Sequence, residues 1–277
     1  MGTNFFLLIA LGLGIGTLGT LIGAGGGFIL VPVLILFYPK LSPEIITAIS
    51  LAVVAANATV GSSAYIRSQK VDFKTGIIFA IATIPGSIIG VLATNYIPRH
   101  RFDLMFGILL LALAIYLFFK GGKGKNYKES LQDIKPDWTF RRLTDKEGHT
   151  YEYSYNLKVG IIISVLVGFF SPLLGIGGGV IHVPAMIQIL HFPVHIATAT
   201  SHFILAIMSL VSVIVHAFQG HYDNPEVLKM IGALIIGIFP GAILGANISK
   251  RVKGTFIIKA LSIALVVVAI RILISVF

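Results

Sequence analysis

The sequence predicts an all-α polytopic membrane protein built from two inverted-topology repeats. Three observations carry that prediction. The 277-residue chain is 56% hydrophobic and only 12% charged, too little charge to cover a soluble domain of this length. Its apolar runs are continuous, and several reach about 20 residues, the length that crosses a bilayer core. One glycine-rich motif also occurs twice, as GAGGGFILVP from Gly23 to Pro32 and as GIGGGVIHVP from Gly175 to Pro184. Continuous runs are not the apolar–polar alternation of an outer-membrane barrel, so the spans are read as helices.

Ten apolar segments follow in order, at 4–22, 26–38, 42–66, 74–96 and 102–119, then 158–173, 177–190, 195–218, 227–248 and 255–277. They divide the chain into a first transmembrane repeat (1–119), an insert (120–157) and a second transmembrane repeat (158–277). No small-residue cleavage site follows the first run, which is therefore expected to be retained. The insert holds eight Lys or Arg and six Asp or Glu. Within it DWTFRR and HTYEYSY flank LTDKEG, which reads as a small β-hairpin outside the bilayer.

Three motifs recur in the same order at a nearly constant spacing of about 150 residues, the mark of internal duplication. Gly23, Gly25, Gly26, Gly27 and Pro32 match Gly175, Gly177, Gly178, Gly179 and Pro184. Thr47, Ala48 and Ser50 match Thr198, Ala199 and Ser201, and PGSIIG at Pro85 matches PGAILG at Pro240. The basic residues are distributed oppositely in the two copies. Arg67, Lys70 and Lys74 crowd one loop of the first half, whereas the matching QGHYDNPE loop has none, and Lys250, Arg251 and Lys253 crowd a different loop of the second. Positive charge marks the cytoplasmic side. This places the insert in the cytoplasm of a plasma-membrane protein, with both termini outside and the halves inverted. Arg99 and Arg101 are the misfit, which snorkelling or pairing with Asp103 would relieve.

The second and seventh segments are too short to cross upright, at about 20 Å against a core of about 30 Å. Each half is therefore expected to hold a glycine-broken or re-entrant helix pair plus three transmembrane helices. Consecutive glycines weaken a helix by roughly 1 kcal/mol each, and unwound backbone inside a bilayer needs protein or a water-filled cavity around it. Two such breaks at matched positions of inverted halves point to a midplane binding site. The helix after each cluster would aim its N-terminus at the centre, where free N–H groups attract anions. The candidate substrate-binding residues are Gly25, Gly26, Gly27, Thr47, Ser50, Asn57, Gly177, Gly178, Gly179, Thr198, Ser201 and His202. Thr47, Ser50, Asn57, Gly61 and Tyr65 share one helical face, as do Thr198, Ser201, Ser209, Ser212 and His216. Such faces either line a path or bond helix to helix. Gly86/Gly90 and Gly241/Gly245 read as packing grooves. Gly14, Gly16 and Gly19 spell GxGxxG inside an apolar helix, without the strand a nucleotide site requires.

All eleven Asp and Glu residues lie in loops or at segment ends. Cation and proton transporters usually need an intramembrane carboxylate, so its absence favours an anionic substrate. Lys259 and Arg271 in the last segment are expected to snorkel to the surfaces. The net charge of +10 reads as loop charge at a membrane surface, with no nucleic-acid partner. The chain has no cysteine, and no metal or other cofactor is expected. The partners expected are a small anion and the lipid bilayer, with self-association into a homo-oligomer left open. Histidines concentrate in the second half, at 182, 191, 195, 202, 216 and 221. The alternative reading is therefore a cation or metal transporter using intramembrane histidines. No acid–base–nucleophile arrangement suggests an enzyme.

The paired glycine-to-proline motifs, the paired Thr-Ala-x-Ser motifs and the paired PGxxxG motifs resemble the TauE/SafE family of membrane transporters. The resemblance covers nearly the whole chain outside 120–157. It implies transport of sulfite, sulfonates or related sulfur oxyanions. It also implies that Gly25–Gly27, Gly177–Gly179, Ser50 and Ser201 form the substrate region. A secondary transporter for a small sulfur-containing anion (sulfite, a sulfonate or a sulfoacetate-like compound), working by alternating access, is the expected function. His202 and His182 are candidates for proton coupling.

Overall fold

The computed structural model describes residues 5–120, 138–249, 252 and 254–276. Among them the chain forms ten helices and one two-stranded sheet: α1 (Phe5–Ile22), α2 (Gly27–Phe37), α3 (Pro43–Arg67), α4 (Phe73–Thr94), α5 (Arg99–Lys120), β1 (Thr139–Thr144), β2 (Thr150–Tyr155), α6 (Leu157–Leu174), α7 (Gly179–Gln188), α8 (Val194–Phe218), α9 (Pro225–Ser249) and α10 (Gly254–Val276). Six of these, α1, α3, α4, α6, α8 and α9, are long and apolar enough to cross a membrane. Lys250, Arg251 and Lys253, on which part of the expected sidedness rests, lie outside the described residues, as does the Lys259 side chain.

Helix starts follow local chemistry. Pro43 and Pro225 open α3 and α9, where a missing N–H costs nothing. Asp72 caps α4 and Asn156 caps α6, each accepting from the N–H three residues on at 3.2 Å. Large side chains such as Phe6, Ile81, Leu166 and Phe239 are exposed on the outer faces, as a lipid-facing surface requires.

Glycine sets the close helix pairs. A Cβ on Gly12 or Gly16 of α1 would strike the Leu234 or Ile238 carbonyl of α9, and one on Gly241 or Gly245 would strike Leu13 or Thr17 of α1. These contacts advance together along both helices, so α1 and α9 run parallel. The α4–α6 pair is built the same way, with Gly86 and Gly90 against Val165 and Phe169 and Gly168 against Thr83. Gly86, Gly90, Gly241 and Gly245 thus serve the helix packing expected of them. At the centre α3 and α8 run antiparallel. Gly61 faces His202, Val54 and Leu205 both reach Gly25, and the Tyr222 hydroxyl beyond α8 donates to the Ala48 carbonyl at 3.0 Å.

The insert contains the expected hairpin. Its strands pair antiparallel with Thr139 opposite Tyr155 and Thr144 opposite Thr150. The first strand runs on through Leu143 and Thr144, so the turn is shorter than the sequence suggested. Residues 121–137 of the insert are outside the described set. At the other end of the bundle Arg99 pairs with Asp103 at 2.9 Å and donates to the Leu41 and Ile35 carbonyls, as its position beside an acidic residue led us to expect.

Candidate functional site

The glycine clusters form two matched elbows. Gly23, Gly25 and Gly26 have φ of +81°, +75° and +87°, and Gly175, Gly177 and Gly178 repeat the pattern at +69°, +80° and +68°. Side chains resist this left-handed region, so the cluster must be glycine for conformational reasons before any ligand is considered. Gly26 and Gly178 are the N-cap residues of α2 and α7.

The elbows also touch each other. A Cβ on Gly27 would meet the Gly175 carbonyl oxygen at 2.5 Å, and one on Gly179 would collide with the Gly23 carbonyl oxygen. Gly23 packs on Thr198 and Gly175 on Thr47, so each elbow rests on the central helix of the other half. Val54 and Leu205 lie between the elbows against Gly25, and Val54 and Met208 against Gly177 and Gly178.

The N-termini meeting here are uncapped. No side chain caps α2 or α7, and neither has an acidic residue in its first turn. Their first N–H groups have no intrahelical acceptor. The N–H groups of Gly26, Gly27, Gly177 and Gly178 take no part in the backbone hydrogen bonds of the elbows. The arrangement offers partial positive charge and donors, with no acidic residue in either first turn to compete.

All twelve expected site residues are buried, and Thr47, Ser50, Asn57 and Thr198 contact the two glycine elbows directly. Several have partners. The Ser50 hydroxyl donates to the Gly175 carbonyl at 2.6 Å. Asn57 donates to the Gly25 carbonyl at 3.0 Å and accepts from Thr20 at 2.9 Å, and Tyr65 donates to the Thr20 carbonyl at 2.8 Å. Thr47 and Thr198 bond back to Glu44 and Val194 within their own helices. Ser201 and both ring nitrogens of His202 have no hydrogen-bond partner.

The remaining histidines are placed elsewhere. His182 bonds Ser164 at 3.1 Å and packs near Phe79. His216 and His221 share a 2.7 Å Nδ1–Nδ1 contact at the far end of α8. Among the described residues, the group of three potential metal ligands is Asp145, Glu147 and His149 in the hairpin turn. The Lys70 ammonium already sits 3.5 Å from Asp145 and 3.3 Å from Glu147.

A second cross-half junction lies at the hairpin. Asp72, fully buried, accepts from Arg141 at 2.6 and 3.0 Å, from Tyr153 at 2.7 Å and from Thr75 at 2.6 Å. Burial alone would raise its pKa. The bonds from Arg141, Thr75 and Tyr153 outweigh burial and hold the carboxyl below the usual carboxylate range. Burial, and then the Asp72 charge, pushes the Tyr153 hydroxyl up. The same hairpin stacks Trp138 on His191 and packs Tyr153 and Tyr155 on Phe192 of the second half. Nothing in the spacing of 72 and 141 signalled this pair. Ser171, which stands where the first half has Gly19, was also missed. Its hydroxyl lies 3.2 Å from where a Cβ on Gly178 would sit.

Membrane-length helices around two buried, mutually touching glycine elbows define a polytopic membrane protein. The chain matches, over residues 8–272, the family model described as sulfite exporter TauE/SafE. It is 34% identical over 271 residues to the probable membrane transporter protein YunE of Bacillus subtilis (strain 168), covering 96% of each chain. It is 27% identical over 257 residues to a probable membrane transporter protein of Methanocaldococcus jannaschii, covering 89% of this chain and 87% of that one. A probable membrane transporter protein of Xylella fastidiosa (strain 9a5c) is 26% identical over 260 residues. No solved structure matches the chain. This protein belongs to the TauE/SafE family and is a membrane transporter, not an enzyme.

Proposed function

We propose that this protein is a secondary transporter moving a small sulfur-containing anion (sulfite, a sulfonate or a sulfoacetate-like compound) across the cell membrane by alternating access. The observation that carries the reading is the meeting of two uncapped helix N-termini at buried glycine elbows, with no acidic residue in either first turn. Oxyanions are the ligands such donors suit. The family's description as sulfite exporters supports the sulfur oxyanion among anions generally.

The halves act as inverted repeats. Support comes from the exchange of partners between them: α1 pairs with α9 as α6 pairs with α4, α5 pairs with α10, and α3 pairs antiparallel with its counterpart α8. Rocking one half against the other would open the elbow pair first to one side and then to the other. The hairpin end is the cytoplasmic one and both termini are outside, which the Arg67–Lys74 charge cluster supports. The anion and the lipid bilayer are its partners.

Uptake of labelled sulfite, methanesulfonate and sulfoacetate into proteoliposomes tests the reading. Saturable uptake of at least one, competed by the others, is expected. If none moves and none displaces another, the substrate class is wrong. Metal-dependent uptake abolished by His182→Ala or His202→Ala would favour the histidine-based alternative.

A further inference from the structure

The two halves treat their matched polar groups differently. In the first half every polar side chain on the elbow-facing side of α3 is occupied with structure: Ser50 holds Gly175, Asn57 holds Gly25 and Thr20, and Tyr65 holds the Thr20 carbonyl. The second half keeps the motif but not the bonds. Ser201, the counterpart of Ser50, is 1% exposed and has no partner. His202 replaces Leu51, is fully buried, and leaves both ring nitrogens unpartnered. Its ring lies close to the Gly23 carbonyl without meeting hydrogen-bond geometry, which places it at the first elbow. It also sits edge-on to Tyr65 and against Gly61, where any Cβ would collide with it. Met208 takes the place of Asn57, so the second half has no amide to occupy these groups.

Buried hydroxyl and imidazole groups without partners destabilise a fold. Two neighbours left so, one helical turn on from Thr198 where it packs on Gly23 of the first elbow, mark a place where a ligand supplies the missing bonds. We propose that Ser201 and His202 are the side chains that donate to the bound anion at the first elbow, while Ser50 and Asn57 at matched positions are structural. Ser171, a third unpartnered hydroxyl of the second half, extends the same division to the second elbow. The inference rests on the anion-transport reading and narrows it. The anion is gripped by side chains of one half only, so the duplicated site is functionally one-sided.

The test compares matched substitutions in the purified full-length protein, using melting temperature without ligand and uptake kinetics for sulfite, methanesulfonate and sulfoacetate. Removing an unpartnered buried group should not weaken the fold. Ser201→Ala and His202→Leu are expected to leave the melting temperature unchanged or raised. They should raise the half-saturation concentration about ten-fold or more, as loss of a hydrogen bond to a charged ligand does. Ser50→Ala and Asn57→Ala should do the reverse, lowering the melting temperature by about 2 °C or more with half-saturation little changed. The inference is overturned if Ser201→Ala and His202→Leu lower the melting temperature as Ser50→Ala does, whether or not any anion binds. It is also overturned if an anion is transported with half-saturation indifferent to both. Wild-type protein that takes up none of the three anions refutes the transport reading instead, and the melting temperatures still decide whether these groups are structural.

Discussion

The elbow pair and the hairpin junction both tie one half of the molecule to the other, yet they use opposite chemistry. At the elbows the contacts are bare backbone and neutral groups: glycine against carbonyl oxygen, and one serine and one asparagine bonded to the unwound chain. At the hairpin the contact centres on a full ion pair, Asp72 with Arg141, braced by two tyrosines. A buried charge far from water is costly unless fully partnered. Asp72 accepts from five side-chain and backbone donors and lies at the end of the bundle, where Arg141 is 24% exposed. None of the residues at the elbow contacts carries a charge, so under the proposed function an anion there would meet helix ends and neutral donors.

Substitutions can break this comparison on either side. The largest effect is expected at Gly179→Ala, whose Cβ has no room beside the Gly23 carbonyl. The cost should exceed about 4 kcal/mol, read as loss of monodisperse protein on size-exclusion chromatography. Gly14→Ala in the neighbouring α1 has open space around it and should be neutral or stabilising by up to about 1 kcal/mol. Asp72→Asn leaves Arg141 and Tyr153 facing a neutral amide. It should cost about 2–4 kcal/mol, measured as a fall in melting temperature.

The Asp72 junction also has a pH signature. Its folded-state pKa is depressed, so its contribution is complete above the unfolded value of about 3.9 and is lost as pH falls through the folded value. Stability should therefore hold from neutrality to about pH 4 on this account. The difference between wild type and Asp72→Asn should shrink only below that. Equal stability of the two proteins at pH 7 would contradict the role given to Asp72. The smallest effect is expected at Glu147→Gln, since Glu147 is 48% exposed and the buried Lys70 keeps Asp145 as a partner. That change should stay within about 1 kcal/mol.

Much of the frame was legible because its causes are local. Runs of apolar residues set the helices, and left-handed backbone demands glycine, so the Gly23–Gly27 and Gly175–Gly179 clusters marked the elbows directly. The alternation in HTYEYSY marked β2. What was not legible depends on partners distant in the chain. The helical face bearing Ser50, Asn57, Ser201 and Ser209 reads the same whether a group staples the fold or stays unpartnered. Only the meeting of α3 with the opposite elbow gives Ser50 its acceptor at Gly175. Likewise Asp72 reads only as an acidic residue at a segment end, and the structure shows that it caps α4. Its pairing with Arg141 exists because the hairpin folds back onto the α3–α4 loop.

Hydrogen–deuterium exchange at the two elbows, with and without sulfite, tests the central claim most directly, because the claim concerns backbone N–H groups. The account predicts that the amides of 23–28 and 175–180 slow together as sulfite is added, with 139–155 of the hairpin unchanged. Sulfite uptake in proteoliposomes accompanied by no slowing at either elbow would contradict it.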